Sequence, residues 1–233
     1  MDNRIHLKKN FVLTIFIPFL VLIIGTFAFR HTNLDITISR LFYIPEIGFF
    51  KKDSNPWIFL YHYGCFPGFL LALSGLFLFV IGLFSKKIIR YRKIGLFLAL
   101  LMVIGPGLIV NATFKEHWGR PRPREITNFG GEKPFLTVWE KKKTSEGSSF
   151  PSGHASVGYF LFAPFFFLSR TKKKGWSIFF LFLGLGYGTL MGIGRIAQGA
   201  HFASDVLWSA GFVYFTGVGL SYLLRFDKDI WWR

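Results

Sequence analysis

"GIGRIAQGAHFASD", residues 192–205, separates two strongly apolar stretches of the chain. It carries Arg195, His201 and Asp205. Ionisable groups beside a membrane span are costly to keep, so their default reading is functional. If the flanking stretches cross a bilayer, these three groups stand together at its surface.

The flanks have that character. Hydrophobic residues make up 52% of the 233 residues, with 31 phenylalanines, and the mean hydropathy is +0.41. This points to a membrane protein of one domain, 1–233, rather than to a large soluble core. Six apolar segments approach spanning length: 11–29, 66–84, 94–110, 154–168, 176–194 and 206–224. The fold class expected is all-α, a polytopic membrane protein with six transmembrane helices. The fourth segment is short, and its helix is expected to begin near Pro151, at the first turn. The first follows a basic start, "MDNRIHLKKN", and is longer than a signal-peptide core without a small-residue cleavage site, so a retained anchor is expected.

Charge sets the orientation. The net charge of +16 could suit a nucleic-acid binder. Much of it, however, falls in short clusters between apolar segments, which anionic lipid explains better; no nucleic-acid partner is expected. "SKKIIRYRK" (85–93) and "SRTKKKG" (169–175) are two such clusters. Short basic loops mark the cytoplasmic side, so both termini are expected there. Trp57, Tyr61, Tyr63, Trp176, Trp231 and Trp232 suit interfacial belts. The opposite face then receives 30–65, 111–153 and 195–205, and any active site should lie there. One cysteine, Cys65, rules out an internal disulfide.

Three clusters on that face carry chemistry. "KEHWGRPRPRE" (115–125) offers Lys115, Arg120, Arg122 and Arg124, stiffened by Pro121 and Pro123. Extended, rigid arginines make bidentate phosphate clamps, although lipid head groups would also attract such a loop. "SSFPSGHAS" (148–156) places Ser152, Gly153 and His154 in a first helical turn. There free N–H groups attract an oxyanion and His154 can move a proton, or Ser152 simply caps the helix. In the opening stretch, His201 and Asp205 are four apart, within contact on a helix. A carboxylate there would fix the imidazole tautomer and leave the other nitrogen free as nucleophile or base; the plain alternative is a hydrogen bond anchoring a helix end. Together the clusters suit phosphoryl transfer through histidine, with no metal or other cofactor.

The order Lys-x6-Arg-Pro, Pro-Ser-Gly-His and Arg-x5-His-x3-Asp resembles the type 2 phosphatidic acid phosphatase superfamily, over about residues 94–224. One departure is Gly194, where the family often has serine. The resemblance implies that His201 attacks phosphorus, Asp205 orients it, and His154 protonates the leaving oxygen. It assigns Lys115, Arg122, Ser152, Gly153 and Arg195 to the phosphate. Related haloperoxidases are soluble, so six spans favour the lipid phosphatase branch. Within it, "FKEHWGRPRPREITNFGG" looks most like bacterial lipid A 1-phosphatases, with Arg120, Arg124 and His117 as possible head-group contacts. The expected partners are lipid A or another membrane phospholipid and the bilayer itself. Undecaprenyl-diphosphate and phosphatidylglycerophosphate phosphatases share the motifs. A non-enzymatic lipid-binding or transport protein would bind without releasing phosphate. A metal-dependent hydrolase using His117, His154, His201 and Asp205 would lack a compact ligand motif and sit among repelling cations.

Overall fold

The structure, a computed structural model, describes residues 12–141 and 147–226. Trp231, Trp232 and the basic N-terminal residues lie outside them. Within them the chain is mostly helical. Helix α1 runs Ile17–His31 and α2 Leu34–Arg40. A small antiparallel ladder follows, β1 Tyr43–Ile44 against β2 Gly48–Phe49. Then come α3 Trp57–Tyr63, α4 Phe66–Phe84 and α5 Arg92–Met102, the last continued by a wide π-helical stretch, Val103–Lys115. Helices α6 Gly153–Tyr159, α7 Ala163–Leu168, α8 Lys174–Ala197 and α9 Ala203–Leu223 complete it.

Among the described residues, five helical stretches are long and apolar enough to cross a membrane: Thr14–His31, Trp57–Phe84, Ile89–Lys115, Lys174–Ala197 and Ala203–Leu223. The fourth expected span, 154–168, falls short of that length: it is the shorter apolar pair α6–α7, Gly153–Leu168. A 3₁₀ turn at Phe160–Phe162 joins the two helices, and the pair is enclosed by its neighbours rather than exposed. Its helix starts at Gly153, after Pro151 and not at it, because Ser152 takes the cap: its Oγ accepts the Ala155 N–H. The second span starts at Trp57, nine residues earlier than the apolar run suggests, since Tyr61, His62 and Tyr63 continue the helix despite their polarity.

Packing separates an inner core from an outer apolar coat. Phe97, Phe160 and Phe162 are fully buried, at the centre of a cluster joining α5, α6, α7 and α9. Phe69, Leu73, Phe77 and Phe84 on α4 are each more than half exposed. A continuous apolar exterior of this kind suits lipid. Gly158 and Gly188 let α6 lie directly on α8: a Cβ on Gly158 would come within 2.9 Å of the Gly188 Cα.

The two basic loops lie at the far end of the molecule from the Arg195 stretch. Loop 85–93 leads into the span ending at Lys115, and loop 169–175 into the span ending at Ala197. At about 1.5 Å per residue, each span carries its last residues about 35–40 Å from its basic start. Lys115 and Arg195 therefore share one end, as the topology requires.

Candidate active site

A cavity of about 300 Å³ opens at that end, lined by Lys115, Arg122, Arg195, His154 and His201, with Arg124 at its edge. The three clusters read from the sequence thus converge. Ser152 and Gly153 are buried behind His154 and do not line the cavity. The space beside Gly153 is taken by the Asn111 side chain, whose Oδ1 would lie 2.6 Å from a Cβ there. The absent side chain of Gly153 therefore makes room for Asn111.

Arg122 and Arg195 each hold a buried Nε with no hydrogen-bond partner. A buried, unmade charged hydrogen bond is costly, so such a donor is normally kept for a ligand. One terminal nitrogen of each is anchored. Arg122 Nη2 donates to Ser148 Oγ at 2.7 Å. Arg195 Nη1 donates to Gln198 Oε1 at 2.5 Å, and its guanidinium lies 4.6 Å from the centre of the Tyr61 ring. Burial, then the charge of Arg124, lowers the Arg122 pKa from its ordinary value; both causes are relieved or offset by a bound anion.

His201 is 2% exposed and precedes α9 instead of lying within it. Its Nδ1 is 2.5 Å from the Ser149 carbonyl and 3.7 Å from Asp205 Oδ2. A carbonyl can only accept, so Nδ1 carries the proton and Nε2 keeps its lone pair. Burial pushes the His201 pKa down to about 4 against the pull of Asp205, which leaves the imidazole neutral at neutral pH. The direct His–Asp hydrogen bond expected from the i, i+4 spacing is replaced by the Ser149 carbonyl. Asp205 is engaged elsewhere: its Oδ2 accepts Ser149 Oγ–H at 2.6 Å and Phe202 N–H at 2.8 Å. It holds the segment that holds His201.

Arg120 departs most from expectation. Instead of meeting head groups, it is fully buried below the site. Its Nη2 donates to Asp35 at 2.8 Å and its Nη1 to Ser204 Oγ at 2.8 Å and to Asp205 Oδ1. Its Nε donates to the Leu136 carbonyl at 2.9 Å, and the Phe202 ring lies 4.4 Å from the guanidinium carbon. Burial alone would lower its pKa, yet Asp205 and Asp35 hold it above the ordinary value. His117 is exposed, with Nδ1 2.7 Å from the Thr113 carbonyl, and does not line the cavity. Of the three suggested head-group contacts, only Arg124 stands at the mouth.

Several residues were missed by the sequence reading. Asp35 binds Arg120 and also accepts Ser204 N–H at 2.9 Å. Tyr61 and Trp57, read as belt aromatics, face the site: Tyr61 stacks on His154 with centroids 5.1 Å apart, and Trp57 covers Gly194, 3.3 Å from where a Cβ would lie. Gln198 links Arg195 to the Lys52 carbonyl at 3.1 Å. Only Gln198 gave a signal, as a polar residue inside the motif stretch. Among the described residues no group of three His, Cys, Asp or Glu side chains could hold a metal. His117 stands apart from the other candidates of the metal reading.

Lys115, Arg122 and Arg195 around two histidines, at the end of a helical membrane bundle, define a phosphate-handling membrane protein. The chain belongs to the PAP2 superfamily, whose model matches residues 92–228, and it is a lipid phosphatase. It is 37% identical over 199 residues to a lipid A 4'-phosphatase of Francisella tularensis subsp. novicida, covering 84% of this chain and 88% of that one. It is 33% identical to a lipid A 4'-phosphatase of Rhizobium leguminosarum, over 55% of this chain and 54% of that one. It is 31% identical to phosphatidylglycerophosphatase B of Bacillus subtilis, over 69% and 72%. No solved structure matches the chain.

Proposed function

We propose that this protein removes the 4'-phosphate of lipid A through a phosphohistidine on His201, at the periplasmic face of the inner membrane. The observation that carries the chemistry is the pair of unpartnered Nε donors of Arg122 and Arg195 in the cavity that also holds His201 and His154. Arg122, Arg195 and Lys115 bind the phosphate oxygens and offset the charge of the transition state. Ser152 and Gly153 act from behind, by fixing the turn that presents His154. Nε2 of His201 attacks phosphorus as the P–O bond to the sugar breaks. His154 gives its proton to the departing oxygen. It then takes one from water, whose oxygen attacks phosphorus, breaks the P–N bond and releases phosphate. Asp205 acts at one remove, through Ser149 and Arg120.

The substrate reading is supported by the Francisella relative, similar over nearly its whole length and named for the 4'-position. The sequence motifs had suggested the 1-position, which becomes the alternative outcome of the test. The Bacillus relative favours a second reading, phosphatidylglycerophosphate. The test is phosphate release by purified enzyme from lipid A bearing both phosphates, lipid A bearing only one, phosphatidylglycerophosphate, undecaprenyl diphosphate and phosphatidic acid. Loss of the 4'-phosphate alone is expected. Loss of the 1-phosphate alone moves the assignment, and turnover only of the other lipids defeats it.

A further inference from the structure

A second cavity, of about 670 Å³, adjoins the first, in the size range of small-molecule sites. The two share Lys52, Asp53, Arg124 and Gln198 as a common wall, so a ligand can occupy both. The outer wall is the β1–β2 turn with the residues after it, including Ile47, Phe50 and Ser54. This hairpin precedes the part of the chain that matches the family, residues 92–228.

The hairpin is docked firmly on the catalytic turn. Gly199, with φ +62, has no room for a side chain: a Cβ would lie 2.4 Å from the Phe49 ring. The Gly199 carbonyl accepts Arg124 N–H at 3.1 Å, and Gln198 Nε2 donates to the Lys52 carbonyl. Tyr43, Phe49 and Phe129 pack on one another with ring centroids 5.1–5.4 Å apart. The pocket is therefore a fixed shape, built against the turn that carries Arg195 and His201.

Its walls mix aromatic rings with Lys52, Asp53, Ser54 and Arg124. An acyl chain would leave those polar groups dry and unpaired. A sugar fits both parts, with C–H faces for the rings and hydroxyl or anionic groups for the charged side chains. We propose that the hairpin pocket is the head-group subsite of this enzyme and takes the sugar that bears the reacting phosphate. The sugar lies against Tyr43 and Phe50, with its remaining polar groups at Lys52 and Arg124. The proposal rests on the sugar-phosphate lipid reading above.

The test compares Phe50→Ala, which removes a wall, and Ile47→Trp, which fills the mouth; Ile47 is 69% exposed, so this change spares the core. Each is assayed on lipid A, on phosphatidic acid and on p-nitrophenyl phosphate, with detergent melting temperature as the folding control. The ratio of kcat/KM for lipid A to that for p-nitrophenyl phosphate should fall by about tenfold or more, within the range set by lost pocket contacts. The same ratio for phosphatidic acid, which has no sugar, should hold. Unchanged ratios in both variants, or equal losses on all three substrates, would overturn the subsite while the lipid A reading stands. A wild-type enzyme that hydrolyses the other substrates but not lipid A would overturn both. If Phe50→Ala does not fold, Ile47→Trp decides the matter alone.

Discussion

Replacing Arg120 by methionine keeps a side chain of similar length and removes the charge that Asp35 and Asp205 share. Both carboxylates would then be buried, within 2% of full enclosure, without their cation. Removing one partner of a buried pair costs about 3–5 kcal/mol, because the remaining charge stays dehydrated. Domain stabilities are about 5–15 kcal/mol, so this is a large share. For a chain of this size about 1 kcal/mol moves the melting temperature by about 2–4 °C, so a drop of about 6–20 °C is expected for Arg120→Met in detergent. Adding Asp35→Asn should restore part of the loss, since one of the stranded charges disappears; a double-mutant cycle would show positive coupling. Activity should fall with stability, through a lower kcat as Asp205 and the Ser149 segment shift. Arg120 as a head-group ligand predicts the reverse pattern: a raised KM for the lipid, an unchanged melting temperature and no coupling to Asp35. That pattern would refute the buried-network account.

The two histidines should separate by leaving group. His201→Ala should abolish phosphoenzyme formation on every substrate, whereas His154→Ala should lose about 10²–10⁴-fold on the lipid and much less on p-nitrophenyl phosphate; a phosphoenzyme on His154 would reverse the roles. Since the His201 pKa lies below its unfolded value, its contribution to stability is complete above about pH 6.5 and is lost as pH falls towards about 4. Wild type should lose about 2 kcal/mol more than His201→Asn between pH 7 and pH 5 in detergent unfolding, and equal losses would place the normal pKa on His201. Activity should survive excess chelator, and vanadate should compete with substrate; loss in EDTA with recovery on adding a divalent cation would defeat the mechanism. A cysteine near Gly130 in a Cys65-free background should react with an impermeant reagent from the periplasmic side, and labelling at 172–174 instead would invert the topology.

The spans and the motif residues were legible because each depends on short-range pattern. An apolar run of about twenty residues is a membrane signal on its own, and the motif cations and histidines sit at fixed offsets from helix ends. What was not legible depends on distance along the chain or on backbone atoms. Asp35 is 85 residues from its partner Arg120, and neither has a local feature pointing to the other. The acceptor for His201 is a main-chain carbonyl, Ser149, which any residue type would supply. The hairpin that walls the second cavity has strands of only two residues each, too short for an alternating pattern. Tyr61 and Trp57 look like interfacial aromatics by composition, and only the fold turns them inward.

The three arginines of the Arg-Pro-Arg-Pro-Arg run show how local geometry decides roles that composition leaves equal. Arg122 has φ −79 and ψ 156, the polyproline II conformation that flanking prolines favour. Arg124 lies just past it, inside the 3₁₀ turn Pro123–Glu125, so the run leaves the extended geometry at Pro123 and its side chains share no single face. A β-strand would send residues 120, 122 and 124 to one face and make a single clamp of them. Here Arg120 turns into the protein to neutralise Asp35 and Asp205, Arg122 turns into the phosphate cavity, and Arg124 turns to the wall shared by the two cavities. The prolines thus divide one basic run among stability, phosphate binding and the approach to the neighbouring pocket.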